Sequence, residues 1–386
     1  MSRIAIATYS VRPRGGAVHS VELAEALAAE GAEVTLVALG DPSEGFFRPA
    51  AVPVHIIEAP PTADTLEERV FSHIDAMAQG LARMGDRFDI VHTQDCIAAR
   101  AAARIRDSGR SGRGGGFRLL RTVHHIDDFT TRALIECQDA AIIEPDKVLV
   151  VSEPWRRRLR DDYGVEASVV TNGVRAERFA PGSQNPHERD RLRDRIGARS
   201  RFVFLTVGGI EPRKGSKYLV EALGRLKAAA GPPPMLAVVG GHSFQDYRAY
   251  RDEVLGSLER HGLALGDDVV LVGTVADEEL PSWFAAADGF VFPSISEGWG
   301  LVILEAMAAE LPVVASDIEV FKSFVTHDSD AVLTAAGDAE SLAEGMARVR
   351  DDPKLVRRLK AKGAATARRY SWKHTARRHL ELYAQP

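Results

Sequence analysis

Two glutamates, Glu297 and Glu305, lie eight residues apart in a largely apolar segment, residues 293–317, PSISEGWGLVILEAMAAELPVVASD. Glu297 precedes a glycine-rich turn, and Glu305 lies within the helix-like run that follows the turn. A buried carboxylate is costly unless a hydrogen-bond donor, a cation or a ligand compensates its charge. Two carboxylates would repel a phosphate but could accept hydrogen bonds from the hydroxyls of a sugar or nucleoside. The alternative is structural: a paired helix carboxylate and an exposed loop acid.

The turn between these glutamates is suited to holding an anion. Gly298 and Gly300 allow a tight turn and a close approach of backbone to ligand. The N–H groups at the beginning of a helix have no partner within the helix, and the helix dipole favours negative charge there. We therefore expect the backbone of Trp299, Gly300, Leu301 and Val302 to face an anion.

A second glycine-rich stretch, VGGIEPRKGSKYL (207–219), follows an apolar strand-like run and carries two cations, Arg213 and Lys214. Its spacing is not that of a Walker phosphate-binding loop. Two adjacent cations suit a diphosphate, because a guanidinium binds two oxygens at once. A solvated turn is the alternative. Gly209 lies between the strand-like run and the two cations.

A third glycine turn, PRGGAVHS (13–20), follows the first apolar run. Gly15 and Gly16 suit a close backbone approach to a ligand, and a simple turn is the alternative. The sequence has no G-x-G-x-x-G fingerprint, which weakens a nicotinamide-cofactor interpretation.

Histidines and aspartates follow two further strand-like runs. They are His92, Asp95, His124, His125 and Asp127. We expect polar groups lining a cleft, in preference to a three-histidine metal site. A basic cluster, WRRRLR (155–160), would touch anionic lipid or form a solvated helix face.

Apolar runs alternate with helical patterns along the whole chain, which predicts parallel sheets covered on both faces. The alternation is interrupted at residues 181–200 by proline, glycine and charge, where we expect a linker. The predicted fold is α/β, with two Rossmann-like doubly wound domains, 1–180 and 201–370, facing a central cleft. Ligands in such sheets bind at the carboxyl ends of the strands.

The composition excludes several classes of protein. The 386 residues carry a net charge of −5, which disfavours nucleic acid as a partner. Only two cysteines, Cys96 and Cys137, are present, too few for a disulfide framework. The N-terminus lacks the apolar region of a signal peptide. No segment approaches the roughly 20 apolar residues of a membrane span. We expect a cytoplasmic protein.

The ordered set of motifs resembles the retaining GT-B glycosyltransferases of family 4. The matching segments are Gly15-Gly16, DIVHTQD, TVHH, VVSEPW, VVTNGV, GGIEPRKG, GTVADEEL, SEGWGLVILEAMA, LPVVASDI and YSW (370–372). The resemblance implies transfer of a hexose from a UDP- or GDP-linked sugar to an acceptor hydroxyl, without a metal ion. The acceptor would be a small molecule, a glycan or a lipid-linked molecule.

The resemblance also implies roles in the second domain. Glu305 would bind the ribose hydroxyls of the donor, and Glu297 the transferred sugar. Lys214 would bind phosphate. Trp299 to Val302 would offer backbone N–H groups to sugar and phosphate, and Val275 lies where the base binds.

In the first domain, Gly16 would face the donor phosphates and His124 the donor sugar. One departure concerns phosphate binding, because the arginine that family members carry five residues before the lysine is Gly209 here. We expect Arg213 to replace it. The final helix, 371–386, should cross back to the first domain. A GT-B epimerase and a two-lobed sugar-nucleotide binding protein remain as alternatives.

Overall fold

The computed structural model describes residues 2–109, 116–181, 185–198, 200–229, 233–241 and 247–385. The chain divides into two compact units, the first formed by residues 1–173 and 372–386 and the second by residues 174–371. Each unit contains one parallel sheet flanked by helices.

The elements are numbered in chain order. The strands are β1 Arg3–Thr8, β2 Glu33–Gly40, β3 Val54–Glu58, β4 Ile90–Thr93, β5 Arg118–Val123, β6 Lys147–Val150, β7 Ala167–Val169, β8 Val203–Val207, β9 Met235–Val239, β10 Val269–Gly273, β11 Gly289–Phe292, β12 Val313–Ser316 and β13 Val332–Thr334. The helices are α1 Gly15–Ala29, α2 Leu66–Met84, α3 Cys96–Asp107, α4 Arg132–Ile143, α5 Glu153–Tyr163, α6 Ala176–Phe179, α7 Pro186–Arg195, α8 Ser216–Ala228, α9 Arg248–Gly256, α10 Leu280–Ala286, α11 Leu301–Ala308, α12 Glu319–Lys322, α13 Ala339–Asp351, α14 Pro353–Arg369 and α15 Trp372–Tyr383.

The sheet of the first unit has the strand order β3-β2-β1-β4-β5-β6-β7, all parallel. β1 is central: Ile4 pairs with Val34 of β2 on one side and with Ile90 of β4 on the other. The strand order reverses between β1 and β4, and ligands of α/β sheets bind at such a point. The turn that follows β1 and leads to Gly15 leaves the sheet there.

The sheet of the second unit has the order β10-β9-β8-β11-β12-β13, also parallel. Its order reverses between β8 and β11, which are direct neighbours. The segments that leave the carboxyl ends of these two strands are the cation-bearing stretch at 208–215 and the glycine turn at 293–300. The topology therefore brings both predicted phosphate-binding stretches to one edge of one sheet.

The crossing between the units differs from the predicted linker. The chain enters the second unit at Val174, and residues 186–195 of the expected linker form α7, which packs on α10. Arg193 fixes this helix by donating to the carbonyl of Ala286 and pairing with Asp288 at 3.0 Å. Residues 182–184 and 199 of the predicted linker lie outside the described residues.

The C-terminal helix α15 belongs to the first unit, where it packs on α1. The chain returns to this unit at Trp372, and the Thr375 hydroxyl donates to the carbonyl oxygen of Thr171 at 2.9 Å. Trp372 and Leu382 are buried, so the helix is part of the core of the first unit.

Candidate functional site

The stretches after β8 and β11 are bonded to each other through their backbones. Ile295 donates its N–H to the carbonyl of Arg213 at 2.7 Å. Gly215 has φ of +68°, and a Cβ there would lie 2.0 Å from the carbonyl oxygen of Pro293. Both conditions favour glycine. This close approach brings the cations of one stretch beside the glutamate of the other.

Glu297 is the centre of the resulting charge cluster. Its Oε1 contacts Lys214 Nζ, lies 3.0 Å from Arg213 Nη1 and accepts from the Ser294 hydroxyl at 3.2 Å. The Lys214 ammonium also lies 4.5 Å from the centre of the Phe292 ring. The exposed fraction of the side chain is 9% for Glu297, 16% for Lys214 and 41% for Arg213. Two cations and a buried carboxylate therefore meet at the reversal point of the sheet.

The protonation states in this cluster follow from burial and pairing. Burial alone would raise the pKa of the Glu297 carboxyl, but Lys214 and Arg213, with the Ser294 hydroxyl, hold that pKa below its usual value. Burial lowers the pKa of Lys214, Glu297 opposes that effect and Arg213 adds to it. We conclude that Glu297 is ionised at neutral pH.

Helix α11 presents a partly exposed face beside this cluster. Leu301, Val302 and Glu305 are half-buried, whereas Ile303 and Leu304 are completely buried. Positions i and i+4 share one face of a helix, so Glu305 lies below Leu301 on the accessible side. Glu305 is thus less buried than its apolar neighbours in the sequence suggest, and it has a partner within the protein.

The glycine turn before α11 is shaped by its packing. Gly300 has φ of +95°, and a Cβ there would lie 2.8 Å from the Phe321 ring. The Trp299 side chain is 4% exposed and packs into the interior, stacked on Phe324 at 4.7 Å between ring centres and edge-on to Tyr370 at 5.5 Å. The Trp299 side chain is therefore unavailable to a ligand, and its backbone is the part that a ligand could reach.

Gly209 follows β8 and Val275 follows β10, so both lie at the carboxyl end of the same sheet. A Cβ on Gly209 would lie 2.9 Å from the carbonyl oxygen of Gly241 and 3.0 Å from Glu211 Oε1, so the position is crowded. Val275 follows β10 and is half-buried. A role in base binding remains a prediction for Val275.

The predicted residues of the first unit lie at or next to its own reversal point, Gly15 and Gly16 after β1 and His124 after β5. Gly15 and Gly16 are the first residues of α1, and a Cβ on either would meet no atom within 4 Å. His124, after β5, hydrogen-bonds through Nε2 to Gln94 Oε1 at 3.0 Å. Burial, followed by the nearby His125, lowers the pKa of His124 to about 3, so the ring is neutral at physiological pH.

Two groups near these sites were missed by the sequence analysis. Glu211 pairs with Arg213, 3.1 Å from Oε2 to Nε. Its place two residues before the arginine was a usable signal. His19 is completely buried against His124, with ring centres 4.5 Å apart.

Three further predictions concern a metal site, a membrane span and contact with lipid. In the described parts of the chain, no group of three histidine, cysteine, aspartate or glutamate side chains is placed to hold a metal ion. The same parts contain no helix that is both long and apolar enough to span a bilayer. In the WRRRLR cluster, Arg156, Arg158 and Arg160 pair with carboxylates of their own helix. Membrane contact through this cluster stays a prediction.

Known proteins resemble this chain over its whole length. Residues 13–178 match the family model described as Glycosyltransferase Family 4, and residues 188–366 match that of Glycosyl transferases group 1. D-inositol 3-phosphate glycosyltransferase of Thermomonospora curvata is 28% identical, over 95% of this chain and 89% of the relative.

Solved structures share the fold. Sucrose-phosphate synthase from Thermosynechococcus elongatus superposes with a TM-score of 0.81 at 23% identity, over 99% of this chain and 98% of that one. HepE of Anabaena, in complex with UDP and glucose, superposes with a TM-score of 0.82 at 20% identity, over all of both chains.

The fold and the matches define a glycosyltransferase of GT-B type. The two family models together span most of the chain, one for each half. The chain belongs to the glycosyltransferases of group 1 and family 4 type.

Proposed function

We propose that the enzyme transfers a hexose from a nucleotide-diphosphate sugar to an acceptor hydroxyl with retention of the anomeric configuration. The observation that carries the proposal is the meeting of Arg213, Lys214 and Glu297 at the reversal point of the second sheet, beside the beginning of α11. The HepE structures contain UDP, glucose and UDP-glucose, which supports a UDP-linked donor; GDP is the alternative.

The cations would stabilise the leaving group. As the bond between the anomeric carbon and the diphosphate breaks, negative charge grows on the phosphate oxygens. Lys214 and Arg213 are fixed beside that position, so little reorganisation is needed when the charge develops. They supply the positive charge that a metal ion would otherwise provide, and we propose that the transfer needs no metal.

The glutamates would bind hydroxyls. Glu305, on the accessible face of α11, would accept hydrogen bonds from the ribose of the donor. Glu297 would exchange its contacts with the cations for sugar hydroxyls when the diphosphate takes over those cations. Its negative charge would then lie near the anomeric carbon, where positive charge develops in the transition state.

The first unit would contribute neutral groups. The open space around Gly15 and Gly16 suits close contact between their backbone and the donor phosphates. His124, held by Gln94 and neutral at physiological pH, would hydrogen-bond a sugar hydroxyl without adding charge.

For the acceptor, we propose only a chemical class. The Thermomonospora curvata relative is named for D-inositol 3-phosphate, a small polyol phosphate. We propose a small molecule, a glycan or a lipid-linked acceptor with a free hydroxyl, and a cytoplasmic location. Reduced Cys96 and Cys137 agree with that location.

A transfer assay tests the proposal. UDP- and GDP-hexoses are incubated with hydroxyl acceptors, and the products are analysed by mass spectrometry and by NMR of the anomeric proton. We expect a glycoside of unchanged anomeric configuration, formed in the presence of a chelator. An altered sugar nucleotide without acceptor would indicate an epimerase, and binding without turnover a binding protein.

Replacing the lysine separates chemistry from binding. Lys214→Ala should mainly lower kcat, by about 100-fold, because leaving-group charge is greatest in the transition state. Lys217→Ala, a change on the first turn of α8, is the control. An effect on KM alone would contradict the assigned role of Lys214.

A further inference from the structure

Glu211 is a buried acid next to the proposed phosphate site that the mechanism above does not use. The residue is 7% exposed and directly precedes the turn that carries the two cations. Its Oε2 lies 3.1 Å from Nε of Arg213, while Nη1 of the same guanidinium lies 3.0 Å from Glu297. Arg213 is therefore held between two carboxylates, one on each side.

A side chain at position 209 would be crowded by Glu211 and by the backbone of Gly241. A Cβ on Gly209 would lie 3.0 Å from Glu211 Oε1 and 2.9 Å from the carbonyl oxygen of Gly241. The first contact comes from the carboxylate itself and the second from the backbone after β9. An arginine at position 209 would thus compete with Glu211 for space, so the cation has to come from elsewhere.

Arg213 is the cation that reaches the site, but it is a long side chain that is 41% exposed. Such a side chain loses considerable rotamer freedom when it is fixed in one position. A close ion pair from a buried carboxylate to Nε, without the geometry of a hydrogen bond, attracts the guanidinium at its inner nitrogen. The outer nitrogens then stay directed toward Glu297, where the diphosphate is expected.

We infer that Glu211 is the positioning residue for Arg213, in compensation for the missing arginine at position 209. The inference rests on the proposed function. Diphosphate binding would replace the contact of Arg213 with Glu297, whereas its contact with Glu211 would persist. The two carboxylates therefore have different roles: Glu297 exchanges partners during the reaction, and Glu211 does not.

A double-mutant cycle tests whether Glu211 acts through Arg213. Glu211→Gln preserves the shape of the side chain and removes its charge. In the wild-type background it should lower kcat and UDP affinity by about 10-fold, the usual effect of losing one charge-assisted contact. In an Arg213→Ala background it should change them less than about 2-fold, because the residue acts through the arginine.

Glu221→Gln is the matched control, since Glu221 pairs with Arg225 at 3.0 Å on the exposed face of α8. This substitution should leave both kcat and UDP affinity unchanged. Thermal unfolding of each variant reports whether the fold is retained.

Equal losses from Glu211→Gln in the two backgrounds would overturn the inference, because they would show a role independent of Arg213. The double-mutant cycle can be measured on UDP affinity alone, by calorimetry. It therefore tests the role of Glu211 even if no acceptor is found. Wild-type protein that binds UDP but transfers no sugar would instead contradict the proposed function. Absence of binding to both UDP and GDP would overturn both.

Discussion

At the scale of single residues, Glu297 shows how far residue types indicate a site. Its spacing from Glu305 predicted a hydroxyl-binding acid, whereas the structure pairs it with Lys214 and Arg213. These partners are 83 and 84 residues away in the chain. Sequence spacing shows which groups follow strands, but the pairing depends on two strands becoming neighbours in the sheet.

Glu305 gives a prediction for one residue. Glu305→Ala should weaken nucleotide binding by about 1–3 kcal/mol, because charge-assisted hydrogen bonds to the ribose are lost. Isothermal titration calorimetry with UDP and GDP measures the change. Glu344→Ala, an exposed glutamate of α13, is the control. Unchanged affinity in Glu305→Ala would remove the residue from the donor site.

At the scale of elements, three buried histidines and the half-buried His124 join α15 to the rest of the first unit. They are His19, His92, His124 and His379. His92 Nδ1 hydrogen-bonds the Tyr383 hydroxyl of α15 at 2.7 Å. Burial is the largest cause that lowers the pKa of each ring, to about 3 for His124 and about 4 for His379, and well below the ordinary value for the other two.

These shifts predict a loss of stability in mild acid. Below about pH 6.5 each histidine takes up a proton in the unfolded chain but stays neutral in the folded protein. The unfolded state then binds more protons, so the free energy of unfolding falls with pH until the folded pKa is reached. The fall is up to about 1.4 kcal/mol per pH unit for each histidine. Urea unfolding between pH 7 and 5.5 measures it.

The variant His19→Phe tests whether these histidines cause the loss of stability in acid. Neither ring nitrogen of His19 makes a hydrogen bond within the described residues, and Asn172 lies close but outside hydrogen-bond geometry. The substitution should leave stability at pH 7 unchanged or higher and make the fall between pH 7 and 5.5 shallower. His55→Gln, at an exposed site on β3, should keep the full fall. A fall of equal size in both variants would contradict the prediction.

Most of the strands and helices could be predicted from the sequence. The apolar runs predicted the central strands of both sheets because parallel strands are buried on both faces. β3 lacks such a run, since it is an edge strand and most of its side chains are at least partly exposed. The turn geometry was not predictable either, because the glycine at position 215 is required by Pro293, which lies in a different stretch.

At the scale of the whole molecule, the sequence indicated two units but misplaced the passage between them. The chain crosses at 173/174 and again at 371/372, not within 181–200. α7 was taken for a linker because its composition is highly polar, PHERDRLRDR. Its attachment to the second unit depends on one buried leucine, Leu192, and on the pairing of Arg193, which composition does not reveal.

The division into units predicts how a donor should affect unfolding. Arg213, Lys214, Glu297 and Glu305 all lie in the second unit. A nucleotide present at 100 times its Kd should stabilise the state that binds it by about 2.7 kcal/mol. In differential scanning calorimetry, UDP or GDP should therefore raise the transition in which the second unit unfolds. Glu305→Ala should abolish much of the increase at the same concentration, because the charge-assisted hydrogen bonds to the ribose are lost. An equal increase in the variant, or no increase with either nucleotide in the unchanged protein, would show that the second unit does not bind the donor at these residues.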